Sequence, residues 1–134
     1  MNVQSYLFFN GRTDEALAFY KEALGAEVTF LMRYKDSPDL SHVQPGMEDL
    51  VLHSTFRIGD TMLNASDGRG AADLDFKGFT LSITADDEAS ADRYFTALSQ
   101  GGKVELPPTQ TFFARKFAML EDRFGIGWMI MVPA

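Results

Sequence analysis

Only two imidazoles are available to this 134-residue chain, His42 and His53, and there is no cysteine. Disulfides, thiolate metal ligands and a cysteine nucleophile are therefore excluded. His53 lies in the run Val51-Leu52-His53-Ser54-Thr55-Phe56. Strand alternation sets it beside Val51 and Thr55, on the face opposite Leu52, Ser54 and Phe56. A histidine there is either a hydrogen-bonded sheet residue, the more frequent case, or a pocket acid/base working near neutral pH. His42, beside Ser41 in a polar stretch, reads as a solvated loop residue. Asp67 follows a strand-like run and offers a carboxylate at a cavity mouth, or else simply the turn chemistry of Ser66-Asp67-Gly68. Glu105, Gln110 and Arg115 fall on or beside strands whose alternate residues must face inward. Arg115 would grip an anion through its guanidinium fork or form an external salt bridge. Phe79, Phe112, Phe113 and Trp128 would stack on a planar ligand or serve as core. The glycines form neither a P-loop nor a dinucleotide fingerprint, and no Gly-x-Ser-x-Gly elbow is present.

These residues need elements to hold them, and the elements come in duplicate. Residues 6–24, followed by Gly25-Ala26-Glu27-Val28, are echoed about 74 residues later by residues 80–98, followed by Gly101-Gly102-Lys103-Val104. Leu7 falls on Leu81, Phe9 on Ile83, Tyr20 on Tyr94 and Leu24 on Leu98. In the first copy, Tyr6-Leu7-Phe8-Phe9 is a continuous apolar run that suits a strand covered on both faces. Thr13 reads as an N-cap, with Asp14 and Glu15 in the first turn. Leu17, Tyr20 and Leu24 then form one helical stripe that Gly25 closes. Strands are predicted at residues 28–34, 49–58 and 61–65, the last two joined across Gly59-Asp60. Residues 35–48 form a loop long enough to act as a lid, and residues 66–77 a linker. The second copy predicts strands at residues 78–84, 103–111, 114–120 and 127–132. Its helix is capped at Asp86 or Asp87 and closed by Gly101, and Asp122-Arg123-Phe124-Gly125 makes a turn. The order is βαβββ, twice, in an α+β fold, with one domain spanning residues 1–134 as two repeats of about 1–67 and 78–134. Two such copies sharing a sheet would leave a concave seam for a small molecule.

Composition narrows the partners. Nearly half the residues are apolar, so a substantial core is expected. A formal net charge of −7, with no Lys/Arg cluster, argues against a nucleic-acid or anionic-membrane partner. No apolar run approaches the length of a membrane span, and the opening Met1-Asn2-Val3-Gln4 lacks a basic signal-peptide start. A cytoplasmic protein is the expectation.

The βαβββ order resembles a known family, as do Tyr-Leu-Phe-Phe-Asn-Gly-Arg-Thr-Asp-Glu-Ala-Leu-Ala-Phe-Tyr (6–20), Gly-Phe-Thr-Leu-Ser-Ile (78–83), Gly-Gly-Lys-Val-Glu (101–105), Thr-Phe-Phe-Ala-Arg (111–115) and Asp-Arg-Phe-Gly-Ile-Gly-Trp-Met-Ile (122–130). The resemblance is to the PhnB-like branch of the vicinal-oxygen-chelate superfamily, which includes glyoxalase I, extradiol dioxygenases and bleomycin- or fosfomycin-resistance proteins. It implies two half-barrel modules around a cavity, usually in a homodimer. The superfamily's metal enzymes use His, Gln or Glu at one point on each of four strands. The matching positions here are Ser5, the segment Met62-Leu63-Asn64, Gly78 or Phe79, and Met129. None supplies an imidazole or carboxylate, so neither a metal nor another cofactor is expected. The label of a ubiquinone-pathway methyltransferase, sometimes attached to such chains, is not adopted, because no glycine-rich loop of the S-adenosylmethionine type follows a parallel strand.

Three functions stay open. The first is metal-free binding of an unidentified small molecule, with Phe79, Glu105, Gln110, Phe113, Arg115 and Asp67 as candidate contacts. The second is acid/base catalysis by His53, with Glu105 or Asp67, on a small oxygenated or phosphonate-like metabolite. The third is an assembly protein whose cavity is filled by Phe79, Met62 and Met129.

Overall fold

A helix that follows a short strand must bury its apolar stripe on the sheet that strand belongs to, and both halves of this chain do so. The computed structural model describes residues 1–68 and 73–134, with His42 described in its backbone only. The elements are β1 (Tyr6–Phe8), α1 (Thr13–Leu24), β2 (Glu27–Arg33), β3 (Val51–Ile58), β4 (Thr61–Ser66), β5 (Thr80–Thr84), α2 (Glu88–Leu98), β6 (Lys103–Thr109), β7 (Ala114–Glu121) and β8 (Gly127–Pro133). The chain divides into two compact units, Met1–Leu74 and Asp75–Ala134, and each carries one βαβββ module.

In the first unit the sheet order is β1-β4-β3-β2, with β1 parallel to β4 and the other pairs antiparallel. Gly59, at φ 56°, allows the tight β3–β4 connection that the sequence predicts. Leu7, Phe9, Phe56, Leu63 and Ala65 point to the helix side, where Ala16, Leu17 and Tyr20 meet them. Tyr20 stacks on Phe56 at 6.3 Å and tilts against Phe9 at 6.2 Å. Burying each of these rings contributes about 1.5–3 kcal/mol. The exposed Arg12–Glu15 ion pair contributes about 0–1 kcal/mol. The stripe therefore sets where α1 lies.

Two expectations need correction here. The N-cap is Arg12, not Thr13, and its side chain makes no capping bond. Thr13 is the first helical residue and its polar atoms turn to Asp67. Nor is β1 covered on both faces within its unit. Leu7 and Phe9 are buried, but Tyr6 is 42 % and Phe8 51 % exposed, because the helix covers only one side of the sheet.

Residues 34–50 leave β2 through two short 3-10 turns, Tyr34–Asp36 and Leu40–His42. Arg33 ties this segment to α1 through a two-pronged contact with Asp14, at 2.8 and 3.0 Å, and donates to the Asp49 carbonyl at 2.9 Å. The Asp14 bond raises the Arg33 pKa above its ordinary value. The hydrogen bond between Lys35 and Asp49, 2.9 Å apart, shifts their pKa values in opposite directions, Lys35 upward and Asp49 downward. Part of the expected linker, residues 69–72, lies outside the described residues.

The second unit repeats the order as β5-β8-β7-β6, with β5 parallel to β8. Asp87 caps α2, accepting from the Ser90 N–H at 2.7 Å. The helix ends at Leu98 and its C-cap is Ser99. Gly101, expected to close the helix, instead turns the chain toward β6 at φ 74°. Ala91, Leu98, Ala118, Leu120, Trp128, Ile130 and Val132 form the core. Asp122 organises the β7–β8 turn: Oδ1 accepts from the Phe124 and Ile126 N–H groups and Oδ2 from the Trp128 indole. Pro107 and Pro108 sit on β6, an edge strand, where a missing N–H is tolerated. No helix among the described residues is long and apolar enough to cross a membrane.

Candidate ligand-binding face

The side of the first sheet away from α1 collects the residues whose parity opposes the core. Register sets Tyr6 against Asn64 and Asn64 against Thr55, while His53 pairs with Met32 and Thr55 with Phe30. Four rings line up across this face. Phe8 and Tyr6 are 5.0 Å apart, Tyr6 and His53 5.6 Å, and Phe30 and His53 6.0 Å. Phe8 pairs with Ser66, a small buried residue on β4, the strand that separates β1 from β3. A bulkier side chain there would stand between the β1 rings and His53. Phe8 and Phe30 are 51 % and 47 % exposed, so two large apolar rings stand open to a ligand.

Beneath the rings runs a line of polar contacts. The Tyr6 hydroxyl is 2.9 Å from His53 Nδ1, and His53 Nε2 is 3.4 Å from Thr55 Oγ1. Thr55 Oγ1 donates to Asn64 Oδ1 at 3.2 Å, and Asn64 Nδ2 donates to Gln4 Oε1 at 3.0 Å and to the Ser5 carbonyl at 3.5 Å. Glu27 and Arg57, which pair at the far end of the β2–β3 ladder, neutralise each other in an ion pair. The face is aromatic and edged with hydrogen-bonding groups, and its Glu27–Arg57 pair is charge-neutral, a composition suited to small planar molecules.

His53 falls on this face, in the orientation expected from alternation, with Thr55 beside it. Asp67 does not. It is 2 % exposed, and its carboxylate is engaged by its own chain. Oδ1 accepts from Gly11 N–H at 2.8 Å, Thr13 N–H at 2.9 Å and the Thr13 hydroxyl at 2.6 Å, while Oδ2 accepts from Val51 N–H at 2.8 Å. This carboxylate joins β3 to the start of α1.

The remaining candidates belong to the second unit. Phe79 is 43 % exposed and meets Phe76 edge-on at 6.4 Å. Glu105 is exposed at an irregularity in β6, and Gln110 is exposed just past the end of that strand. Arg115 is exposed and donates through Nε to the Pro133 carbonyl at 3.1 Å. Phe113 is 43 % exposed and meets Phe112 and Phe117 edge-on, each at 5.2 Å. Among the described residues, no hydrogen bond or ion pair joins Glu105, Gln110 and Arg115 to one another. Trp128 is core, 3 % exposed, and Phe112 is 97 % exposed. The side chain of His42 lies outside the described residues.

The metal site implied by the superfamily does not fit this chain. Ser5, Asn64, Gly78 or Phe79, and Met129 offer at most a hydroxyl, an amide and a thioether, where a divalent ion needs several imidazoles or carboxylates. The Met129 sulfur lies 3.3 Å from the Thr80 hydroxyl. Among the described residues no three His, Cys, Asp or Glu side chains are grouped to hold a metal.

Sequence reasoning overlooked Tyr6, Phe8, Phe30 and Gln4, and treated Asn64 only as a metal position. The available signal was parity: once His53 and Thr55 are assigned to one face, the partner strands must supply alternate residues to it.

Comparison with known proteins identifies the family. Residues 1–131 match the family model described as 3-demethylubiquinone-9 3-methyltransferase. Protein YjdN of Escherichia coli (strain K12) is 29 % identical, over 98 % of this chain and 95 % of its own. Among solved structures, protein PA1353 from Pseudomonas aeruginosa is 34 % identical with a TM-score of 0.86, covering 99 % of this chain and 98 % of that one. A PhnB protein from Bacillus cereus is 25 % identical with a TM-score of 0.82, covering 98 % and 99 %. A glyoxylase/bleomycin resistance protein/dioxygenase domain from Frankia sp. EAN1pec, 16 % identical over 99 % and 95 % with a TM-score of 0.67, shares the fold alone. With the family model matching residues 1–131, and with solved structures that include a PhnB protein aligning over nearly the whole chain, the chain belongs to this PhnB-like family.

Proposed function

We propose that the protein binds a small, planar, uncharged organic molecule without a metal, on the open face of the first sheet. The observation that carries this reading is the row Phe8, Tyr6, His53 and Phe30, with hydrogen-bonding groups beneath it and the Glu27–Arg57 charges neutralising each other. Rings of this kind supply stacking area, and the Tyr6 and His53 heteroatoms supply orientation. The methyltransferase in the family model's description finds no support in the sheet order. Each unit carries a largely antiparallel four-stranded sheet, in place of the doubly wound parallel sheet common to S-adenosylmethionine enzymes.

Native mass spectrometry of metal-free protein with a panel of bicyclic aromatics tests the reading. Stoichiometric binding that falls about tenfold in Phe30→Ala is expected, since truncating one stacked ring removes about 1 kcal/mol or more. Binding that appears only with added Zn²⁺, Ni²⁺ or Mn²⁺ would refute it. The same spectrum reports whether the chain forms the homodimer that the family resemblance implies.

The 2.9 Å contact between Tyr6 and His53 favours a second reading, in which His53 moves a proton on the bound molecule. Turnover that His53→Gln abolishes while binding persists would establish it.

A further inference from the structure

The line of polar side chains beneath the rings has a fixed end, and that end determines every proton above it. Asn64 Nδ2 lies within reach of the Ser5 backbone carbonyl, a group that can only accept. The amide of Asn64 is therefore oriented with Nδ2 toward Ser5 and Gln4 and with Oδ1 toward Thr55. Oδ1 can only accept, so the single hydroxyl proton of Thr55 goes to Asn64. Thr55 Oγ1 then has only lone pairs left for His53 Nε2, which must carry a hydrogen to make that contact. In a neutral imidazole this leaves Nδ1 bare, and Nδ1 takes the phenolic proton of Tyr6. Tyr6 has no second proton. Its oxygen can offer a ligand lone pairs only.

We infer that Asn64 and Thr55 are positioning residues that lock His53 in the Nε2–H form, so that Tyr6 acts purely as an acceptor and the open face selects ring ligands bearing an O–H or N–H donor. The residues packed around His53 leave this one-way order intact. The side chains of Phe30 on β2 and Phe8 on β1 carry no donor or acceptor, Met32 offers only a weakly accepting thioether, which can take a hydrogen from a ring nitrogen but supply none, and Glu27 and Arg57 satisfy each other. Flipping the Asn64 amide would turn its oxygen onto the Ser5 carbonyl oxygen, a contact between two acceptors. The tautomer is thus set by a main-chain atom three side chains away. Tautomers are ordinarily left to whichever network can be drawn. Here a backbone carbonyl removes the choice.

The selection rests on the binding reading above, whereas the tautomer does not, and the experiment separates them. Nitrogen-15 spectra of histidine-labelled protein, without ligand, should show His53 with a pyrrole-like Nε2 and a pyridine-like Nδ1. Thr55→Val removes the acceptor from Nε2 and should move both resonances toward a mixed population. Binding is then compared for 2-naphthol, which has a donor, and 2-acetylnaphthalene, which has only an acceptor. Wild type should prefer 2-naphthol by about tenfold, the worth of one hydrogen bond. The preference should collapse in Thr55→Val and in Tyr6→Phe, while the rings themselves still bind. An Nδ1–H tautomer in wild type, or resonances unmoved by Thr55→Val, would overturn the inference even if both naphthalenes bind. Equal affinity of wild type for the two probes would also overturn it. Failure of every ring to bind would refute the proposed function, and with it the selection, whatever the tautomer.

Discussion

Replacing Asp67 by Asn changes one atom at a buried carboxylate that accepts four hydrogen bonds. Asp67 Oδ1 receives three donors from Gly11 and Thr13, and Oδ2 receives the Val51 N–H. An asparagine at this position will keep its oxygen toward the three donors, which leaves its amide group facing the Val51 N–H. That N–H is then buried without an acceptor, at a cost of about 1–3 kcal/mol. The three retained bonds lose their charge assistance, about 1 kcal/mol each. Because Thr13 supplies two of them and they relax together, the whole is less than the parts, and a loss of about 3–5 kcal/mol is expected. For a chain of this size that is roughly 10–20 °C in Tm. Thermal and urea melts followed by circular dichroism give the total. Amide hydrogen exchange at Gly11, Thr13 and Val51 assigns it to the site. A loss below about 1 kcal/mol, or unchanged protection at those three amides, would show that the carboxylate does not hold β3 to the start of α1.

Two further outcomes follow from other parts of the chain. A Cβ added at Gly102 would lie 2.2 Å from the Glu121 carbonyl oxygen and 3.0 Å from the Asp122 backbone, so Gly102→Ala must displace main chain rather than a side-chain tip. A loss of about 1–3 kcal/mol in urea melts is expected, and an unchanged midpoint would contradict it. The bond from Ser90 N–H lowers the Asp87 pKa below its ordinary value. The contribution of this cap is therefore present above the unfolded value, about 3.9, and is lost as the pH falls through the lower folded value. Exchange of the Ser90 amide should accelerate, relative to the intrinsic rate, only in that acid window, and Asp87→Ala should remove the dependence.

The architecture was legible because its signals are local. Alternation, the Gly59-Asp60 connection and the Leu17 and Tyr20 stripe each act over a few residues, and each reappears in the strands and helices of the described residues. What escaped depends on pairs far apart in the chain. Asp67 looked like part of a turn because its partners, Thr13 and Val51, lie 54 and 16 residues away. Tyr6 and Phe8 looked like core because an unbroken apolar run gives no sign of which side a helix covers. The contact of Tyr6 with His53 spans 47 residues, and only the parallel pairing of β1 with β4 brings the two together. His53 itself was readable, since the alternation that orients it lies within its own strand.

The hydrogen-bonded line from Tyr6 to Gln4 also bears on how charge can travel. A hydroxyl or an imidazole can accept a proton on one side and release another on the opposite side. A carboxamide cannot do so without passing through its high-energy imidic acid form, and two carboxamides, Asn64 and Gln4, close the far end of this line. Orientation is transmitted along it, but charge is not. It behaves as an insulator that keeps His53 aligned while isolating it from the N-terminal segment. If His53 does exchange protons, they must enter and leave on the Tyr6 side, through the same opening that admits the ligand.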